Sequence, residues 1–319
     1  MSKVLMRASD GSGVSKAASP LGHRLGKWLR RHRSDLTAYA ILTPMMIHMA
    51  IFLLLPLVFL FVLSFAKWNI VNWPPKFAGL ENYGRLISDP YYLHTIANTF
   101  KLGASMLAIN VVGGFAVAVL LNGPIRGRWV FRTLWYLPVV LSGAVMAQVM
   151  RVFLQAGKWG VVNMLLGKLF DMEPVLWLFR ADWMPVVVVL FASWRSIGWV
   201  VIFFLAGLQG VDPMLYEAAR IDGANRLQLL WHITIPSLAP VFVFVSITGL
   251  IGALQMWEAP LVLTRGGPQN STVTLVYTMY EDAFDNLMVG MGTAQAVALL
   301  LLLVVGIGFQ LRFYKQYYL

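Results

Sequence analysis

The chain has 319 residues, of which 59% are hydrophobic and only 12% are charged, and its mean hydropathy is +0.70. A soluble domain carries about twice that charged fraction, so the composition excludes a soluble globular protein and indicates an integral membrane protein. The formal net charge is +11, and the absence of cysteine excludes disulfide and thiolate chemistry.

Residues 1–33 form the first predicted domain, a basic N-terminal tail. Its first twenty residues are rich in Ser, Gly and Ala and are expected to be disordered. In the following stretch, LGHRLGKWLRRHR, one helical face carries Leu21, Leu25, Trp28 and Leu29 among basic residues. This pattern predicts an amphipathic helix that lies on the inner leaflet of the membrane.

Residues 34–319 form the second predicted domain, an all-α membrane domain with six transmembrane helices. Each predicted span is an apolar stretch of roughly the 20 residues that a helix needs to cross a bilayer. The spans are predicted at 39–65, 100–121, 134–154, 184–208, 239–259 and 294–311.

Basic residues are distributed unevenly among the segments that connect these spans. Fifteen of the 25 Lys and Arg lie in the N-terminus, the second-to-third and fourth-to-fifth connections and the C-terminus, and seven lie in the opposite loops. The positive-inside rule therefore places the richer set, with both chain termini, in the cytoplasm.

Motifs for ATP binding or catalysis are missing from the sequence. The segment closest to a Walker A loop, GHRLGK at 22–27, has too few residues between its glycines and no Ser or Thr after its Lys. There is no H-E-x-x-H metal motif and no G-x-S-x-G elbow. We therefore expect no catalytic residue, metal ligand or cofactor site in this chain.

An ion-coupled transporter is the alternative from a different class. Such carriers usually hold buried acids as ion relays. The ionisable residues within or beside the predicted spans are Lys101, Arg151, Arg195 and Glu258. A single acid among them favours a path whose energy source lies in another subunit.

A polar insert separates the fourth and fifth spans and covers about 209–236. Asp212 is expected to cap a helix that has Pro213 in its first turn, and Gly223 to end that helix in a left-handed conformation. A second short helix is predicted from near Asn225 to before Pro236. From these residues alone, the insert is either an interfacial loop or a docking element for another protein.

The spacing within the insert resembles the EAA motif of ABC importer permeases, which reads E-A-A, three residues, Gly, nine residues and I-x-L-P. Ile235 stands where Leu is usual. The resemblance implies a cytoplasmic coupling helix that docks on a separate ATPase subunit. The matching residues are Glu217, Ala218, Ala219, Gly223, Ile233 and Pro236. The ATPase contact is expected to consist of Glu217, Ala218, Ala219, Asp222 and Gly223.

Two further stretches are typical of the carbohydrate-uptake branch of this family: GLENYGRLISDPYYLHTIANTF at 79–100 and LVLTRGGPQNSTVTLVYTMYEDAFDN at 261–286. The chain resembles the first of the two permease subunits in maltose and glycerol-3-phosphate importers. That resemblance implies a maltose-permease-like fold and a sugar, oligosaccharide, polyol or glycerol phosphate as solute. An ABC permease for another polar solute is the alternative within the class.

The same resemblance implies a set of partners: a second permease subunit, two ABC ATPase subunits that bind ATP and Mg, and an extracytoplasmic solute-binding protein. No cofactor is implied in this chain itself. In this arrangement the chain is the membrane subunit of a larger transport complex.

Matching to the family places its solute-contact positions at Gly249, Gly252, Ala253 and Met256, whose spacing puts them on one helix face. Because this face is nearly apolar, we expect polar partners from elsewhere. The expected contributors are Gln255, Trp257 and Glu258 near the end of the fifth span and Arg195, Ser196 and Trp199 in the fourth. A packing seam of small residues is the alternative for the face.

Arg195 also has two interpretations. A buried Arg needs a partner or an anionic ligand. It is expected either to neutralise Glu258 or to meet a phosphate or carboxylate on the solute.

Overall fold

The structure is a computed structural model that describes the backbone of residues 33–318 and the side chains of residues 38–315. The predicted N-terminal tail, including its amphipathic helix, lies outside the described side chains. The described residues divide into two compact units, one that ends at Val58 and one that begins at Phe59.

The first unit contains helix α1 (Arg33–Met49) and a π-helical turn, Ala50–Leu54, after which α2 (Leu55–Ser64) begins. The second unit is also helical. The strands in the described residues are β1 (Ala66–Lys67) and β2 (Lys76–Phe77), which pair antiparallel with Ala66 opposite Phe77. This content confirms the all-α prediction.

The remaining helices of the second unit follow in chain order. They are α3 (Glu81–Ser88), α4 (Pro90–Ala108), α5 (Gly114–Asn122), α6 (Arg128–Val140), α7 (Gly143–Phe153), α8 (Val161–Phe170), α9 (Met184–Gln209), α10 (Pro213–Ile221), α11 (Arg226–Leu229), α12 (Ile235–Ser237), α13 (Ala239–Leu254), α14 (Leu275–Tyr280) and α15 (Val289–Tyr318). π-Helical turns join α4 to α5 (Ile109–Gly113) and α11 to α12 (Leu230–Thr234), and two others cover Pro260–Thr264 and Glu281–Asp285.

Four continuous helical runs in the described residues are long and apolar enough to cross a membrane: Ala38–Ser64, Pro90–Asn122, Met184–Gln209 and Val289–Lys315. Two bent pairs, α6 with α7 and α11–α12 with α13, bring the number to six if each pair counts as one span. The spans predicted first, second, fourth and sixth each correspond to one of the continuous runs.

The third span, predicted as one helix over 134–154, is broken. Helices α6 and α7 meet at 106° because Leu141 and Ser142 both adopt extended ψ angles, 145° and 131°. The prediction gave one helix because hydropathy depends on the apolar content of the sequence and not on the direction of the helices. The break places the first residue of α7, Gly143, in the interior of the second unit.

The fifth span is shorter than the predicted 239–259. Helix α13 ends at Leu254, and the chain leaves the helical conformation at Gln255 before a helical turn resumes at Glu258. Residues 255–257 are therefore an irregular connection, and the side chains of the stretch 255–259 do not continue the periodic face of α13.

Helix α9 lies at the centre of the core of the second unit. Its first half packs Val188 and Phe191 against α4 and α7, and its second half packs Val201 and Phe204 against α5 and α13. Gly198 allows close approach, because a Cβ at this position would overlap the carbonyl oxygen of Trp135 in α6. Since α9 contacts helices on several sides, its residues are well placed to line an internal cavity.

The connection between α7 and α9 is held by polar side chains. The Asn163 side chain donates to the Val175 carbonyl (3.0 Å) and accepts from the Val175 amide (3.1 Å) and Trp177 Nε1 (2.8 Å). Just before α9, Arg180 donates two hydrogen bonds to Asp182, which lower the pKa of that carboxyl group. The connection is thus an ordered element.

Candidate functional site

A cavity of about 420 Å³ opens between α9 and α13 and is called the α9–α13 cavity below. Residues of α4, α6 and the stretch 255–259 after α13 are also part of its lining. Eight of the nine residues predicted for the solute path line it: Arg195, Ser196, Trp199, Gly249, Gly252, Gln255, Met256 and Glu258.

Ala253, the ninth predicted path residue, lies outside the cavity lining. It is only 1% exposed and belongs to the hydrophobic core beside Leu102 and Met106. Gly103 of α4 approaches it so closely that a Cβ there would lie 3.2 Å from the Ala253 carbonyl oxygen. Ala253 is therefore part of a packing seam between α4 and α13.

Gly249 and Gly252 differ although both line the cavity. A Cβ added at Gly252 would meet nothing within 4 Å, whereas one at Gly249 would lie 2.7 Å from Leu107 Cδ1. The predicted face of α13 thus combines open wall at Gly252 with helix packing at Gly249 and Ala253. The packing interpretation therefore accounts for Gly249 and Ala253, and solute contact at Gly252 stays a prediction.

Arg195 and Glu258 form an ion pair at the cavity, in which Arg195 Nη1 donates to Glu258 Oε2. Their side chains are 28% and 37% exposed, so the pair is partly withdrawn from solvent. Gly143, at the start of α7, lies directly behind it, and a Cβ there would overlap both side chains. The pair thus joins α9, the 255–259 stretch and α7.

Asn110, in the π-helical turn after α4, lines the cavity but was not predicted from the sequence as a path residue. Its Nδ2 donates to Ser196 Oγ at 2.7 Å, and Ser196 Oγ donates to the Ala192 carbonyl at 2.8 Å. This bond fixes the Ser196 hydroxyl at the wall. A polar Asn within a strongly apolar span was the available signal for it.

A turn rich in Thr side chains is hydrogen-bonded to the 255–259 stretch at Met256. Thr264 Oγ1 and Thr272 Oγ1 are hydrogen-bonded at 2.7 Å across the turn. Thr274 Oγ1 donates to the Met256 carbonyl at 2.6 Å, and the Leu275 amide donates to Thr99 Oγ1 at 2.8 Å. The Thr pattern after the Gly-Gly-Pro turn therefore anchors a cavity-lining segment to α4.

The polar insert folds as two short helical segments, as predicted. Asp212 accepts from the Met214 amide at 2.9 Å and caps α10, and Gly223 adopts a φ of +86° after it. Asn225 caps α11 in a capping box with Gln228.

The predicted end before Pro236 is wrong, because helical structure continues through this residue to Ser237. Pro236 lies in the first turn of α12, where a missing N–H costs little, and the wider π-helical turn Leu230–Thr234 precedes it. Helical structure thus runs almost without interruption from α11 towards α13.

The residues predicted for the ATPase contact lie together on α10 and the turn after it. Glu217, Ala218, Asp222 and Gly223 are exposed and Ala219 is half-buried. The salt bridges in the described part of the chain are Lys67–Glu81, Arg180–Asp182 and Arg195–Glu258, and Glu217 takes part in none of them.

Large apolar side chains are exposed beside Glu217. Ile221 is 86% exposed, and Met214 and Leu227 are also exposed. Tyr216 OH and Thr234 Oγ1, 3.1 Å apart, tie α10 to the helical run behind it. The surface of α10 therefore offers both an unpaired carboxylate and apolar contact area.

Residues 110–316 match the family model of the binding-protein-dependent transport system inner membrane component. The chain belongs to this family. It is an integral membrane permease subunit of an ABC importer that works with a solute-binding protein, as the EAA motif predicts.

Two relatives and one solved structure illustrate the similarity of this permease to known proteins. The arabinooligosaccharides transport permease AraP of Halalkalibacterium halodurans is 33% identical, with 84% of each chain covered. The sn-glycerol-3-phosphate transport permease UgpA of Brucella abortus is 31% identical, covering 87% of this chain and 94% of that one. The crystal structure of a bacterial ABC transporter involved in alginate import superposes with a TM-score of 0.78 at 24% identity, covering 92% of this chain and 99% of that chain. The fold of the ABC permease is therefore confirmed.

Proposed function

We propose that this permease forms, with a second and similar permease, the translocation path for a sugar, oligosaccharide, polyol or glycerol phosphate. The observation that carries the proposal is the α9–α13 cavity, which combines the aromatic rings of Trp199 and Trp257 with neutral polar groups of Ser196 and Gln255. Aromatic rings suit the C–H faces of sugars, and a few placed polar groups orient hydroxyls. The solutes named for AraP and UgpA support this class.

The energy for transport comes from two separate ATPase subunits, which bind ATP and Mg. They contact the permease at α10, where the exposed carboxylate of Glu217 and the apolar side chain of Ile221 are available to a partner. An extracytoplasmic binding protein delivers the solute from the opposite side. The bias of basic residues supports a cytoplasmic position for α10 and for both chain termini.

The mechanism is alternating access. ATP binding closes the ATPase subunits on each other and displaces α10. The contact between Tyr216 and Thr234 and the helical run α11–α12 pass this displacement to α13, which carries Gly252 on the cavity wall. Movement of α13 relative to α9 changes the side from which the cavity is open.

The substitution Gly252→Phe tests whether the cavity is on the solute path. Because a Cβ at Gly252 meets nothing within 4 Å, the ring has cavity space to enter. We expect the transporter complex to assemble and carbohydrate uptake to fall at least about tenfold, a loss equivalent to roughly 1.4 kcal/mol. Uptake into cells and co-purification of the subunits are the measurements.

Gly308→Phe is the matched control, because Gly308 is a helical glycine in α15 with equally open space and lies away from the cavity lining. It is expected to leave uptake near the wild-type rate. Wild-type uptake in the Gly252→Phe complex would place the solute path elsewhere.

A further inference from the structure

The charges around the α9–α13 cavity cancel within the chain. Among the described residues that line it, Arg195 and Glu258 are the only ionisable ones, and they are paired with each other. The other polar side chains of the lining are neutral: Asn110, Ser196, Thr248, Gln255 and the indole of each Trp. The cavity therefore offers hydrogen-bonding groups without net charge.

The ion pair is held in place by its surroundings. Gly143 leaves space for the two side chains where any Cβ would overlap them. The hydrogen bonds from Thr274 to the Met256 carbonyl and from Asn110 to Ser196 fix the backbone before Glu258 and the residue after Arg195. Partial withdrawal from solvent strengthens the attraction of the pair relative to a surface pair. Separating Arg195 from Glu258 thus costs free energy. A solute that replaces either partner must offset this cost through its own contacts.

This arrangement discriminates among solutes by charge. An anionic group that approaches Arg195 meets the carboxylate of Glu258 as a competitor and is repelled by it, and a cationic group is repelled by Arg195. A neutral hydroxyl group is repelled by neither Arg195 nor Glu258. It donates to a free lone pair of Glu258 or accepts from an N–H of Arg195 while the pair stays intact.

We infer that the Arg195–Glu258 pair is the specificity element of the path and that the solute is an uncharged, polyhydroxylated molecule, not a glycerol phosphate or a uronic acid oligosaccharide. The inference rests on the proposed function, since it needs the cavity to be on the path. It narrows that proposal, because the wider class includes charged members.

The first test measures uptake by the complete transporter, with its binding protein, in proteoliposomes. Two matched pairs of probes differ mainly in charge: arabinotriose with trigalacturonate, and glycerol with sn-glycerol 3-phosphate. Uptake of a neutral member but not its anionic counterpart is the expected result. Uptake confined to an anionic member would overturn the inference and leave the carbohydrate permease standing, whereas no uptake of any of the four would overturn both.

The second test uses Glu258→Gln, which leaves the charge of Arg195 unneutralised. An excess of binding protein loaded with the transported neutral probe is present throughout, so that differences between variants report on the permease. The anionic counterpart is then titrated as an inhibitor of uptake. We expect inhibition to become about tenfold stronger than in the wild type, which corresponds to about 1.4 kcal/mol.

Two variants serve as controls for the second test. The double variant Arg195→Gln/Glu258→Gln removes both charges and is expected to return inhibition to the wild-type level. Glu173→Gln makes the same change at an exposed position outside the cavity and is expected to have no effect. Equal inhibition of the wild type and Glu258→Gln would show that the pair does not select against anions.

Discussion

Gly143 shows how the absence of a side chain at one position can leave room for an ion pair. The residue follows the break between α6 and α7, and the atoms of Arg195 and Glu258 occupy the space where its Cβ would lie. Arg195 and Glu258 were predicted from the sequence as path residues, but the glycine that packs against them was not. Nothing in the local sequence indicates which helix end will meet which side chain, because that depends on the 106° bend.

Substitution of Gly143 by Ala tests this role. The added methyl group is expected to displace the ion pair and to destabilise the complex by roughly 1–3 kcal/mol, the usual cost of overpacking. Uptake should fall together with the thermal unfolding temperature of the purified complex.

Gly252→Ala is the matched control, because the methyl group enters open space. This change is expected to be neutral or to stabilise the helix by up to about 1 kcal/mol. Equal stability of the Gly143→Ala and Gly252→Ala complexes would show that the space behind the ion pair is not restricted.

Gly252 and Ala253 show how well helical spacing predicts which residues line the cavity. Helical spacing placed Gly249, Gly252 and Ala253 on one face of α13, but only the two glycines line the cavity, and Met256 reaches it from the irregular chain after the helix. A helix face is broad, and the neighbouring helix decides which of its edges is covered. Because α4 packs on the Ala253 edge, the boundary between wall and seam falls between two adjacent residues.

Among the elements, α10 is the one whose local structure follows most directly from its sequence. The Asp212 cap and the left-handed Gly223 were both predicted from residue type and position, because capping is decided within a few residues. The start of the next helix was predicted near Asn225, which is the residue that caps α11. The break at Leu141 and the end of α13 at Leu254 were not predicted. Both lie in apolar sequence, where tertiary contacts decide where a helix stops.

Changes in α10 should affect coupling and not solute binding. Glu217→Ala removes a carboxylate that has no salt-bridge partner in the described part of the chain. Gly223→Ala imposes a strain of about 1–2 kcal/mol on a left-handed residue. Both variants are expected to insert normally while losing uptake and solute-stimulated ATP hydrolysis several-fold.

Gly157→Ala is the matched control for the glycine. Gly157 has a φ of +79° and, like Gly223, open space around its Cα, but it lies in the connection after α7. The same strain there should leave ATP hydrolysis unchanged. The proposed role of α10 fails if Glu217→Ala and Gly223→Ala both retain wild-type uptake.

At the scale of the whole molecule, the distribution of basic residues predicts an orientation in the membrane. This orientation depends on whether the bent pair of α6 and α7 crosses the membrane. Arg126, Arg128 and Arg132 lie before or within α6, whereas Lys158 follows α7. The positive-inside rule places these two groups on opposite sides of the membrane. A pair bent by 106° either crosses the membrane as one span or returns to the side from which it came. Six spans and the proposed orientation both require the crossing.

Single-cysteine labelling distinguishes these topologies, because the native chain contains no cysteine and gives no background. Arg128 and Lys158 are both exposed, so that Arg128→Cys and Lys158→Cys are accessible to a membrane-impermeant maleimide wherever they face water. We expect Lys158→Cys to be labelled in intact cells and Arg128→Cys only after permeabilisation. Labelling of both in intact cells would show that α6 and α7 form a re-entrant pair, but it would leave α10 in the cytoplasm, because α9 still crosses the membrane after Lys158. Absence of Lys158→Cys labelling in intact cells, with or without labelling of Arg128→Cys, would place α10 outside the cytoplasm, where it has no access to ATPase subunits. That result would remove the basis for coupling through α10, whereas the expected pattern places Glu217 and the ATPase on the same side of the membrane.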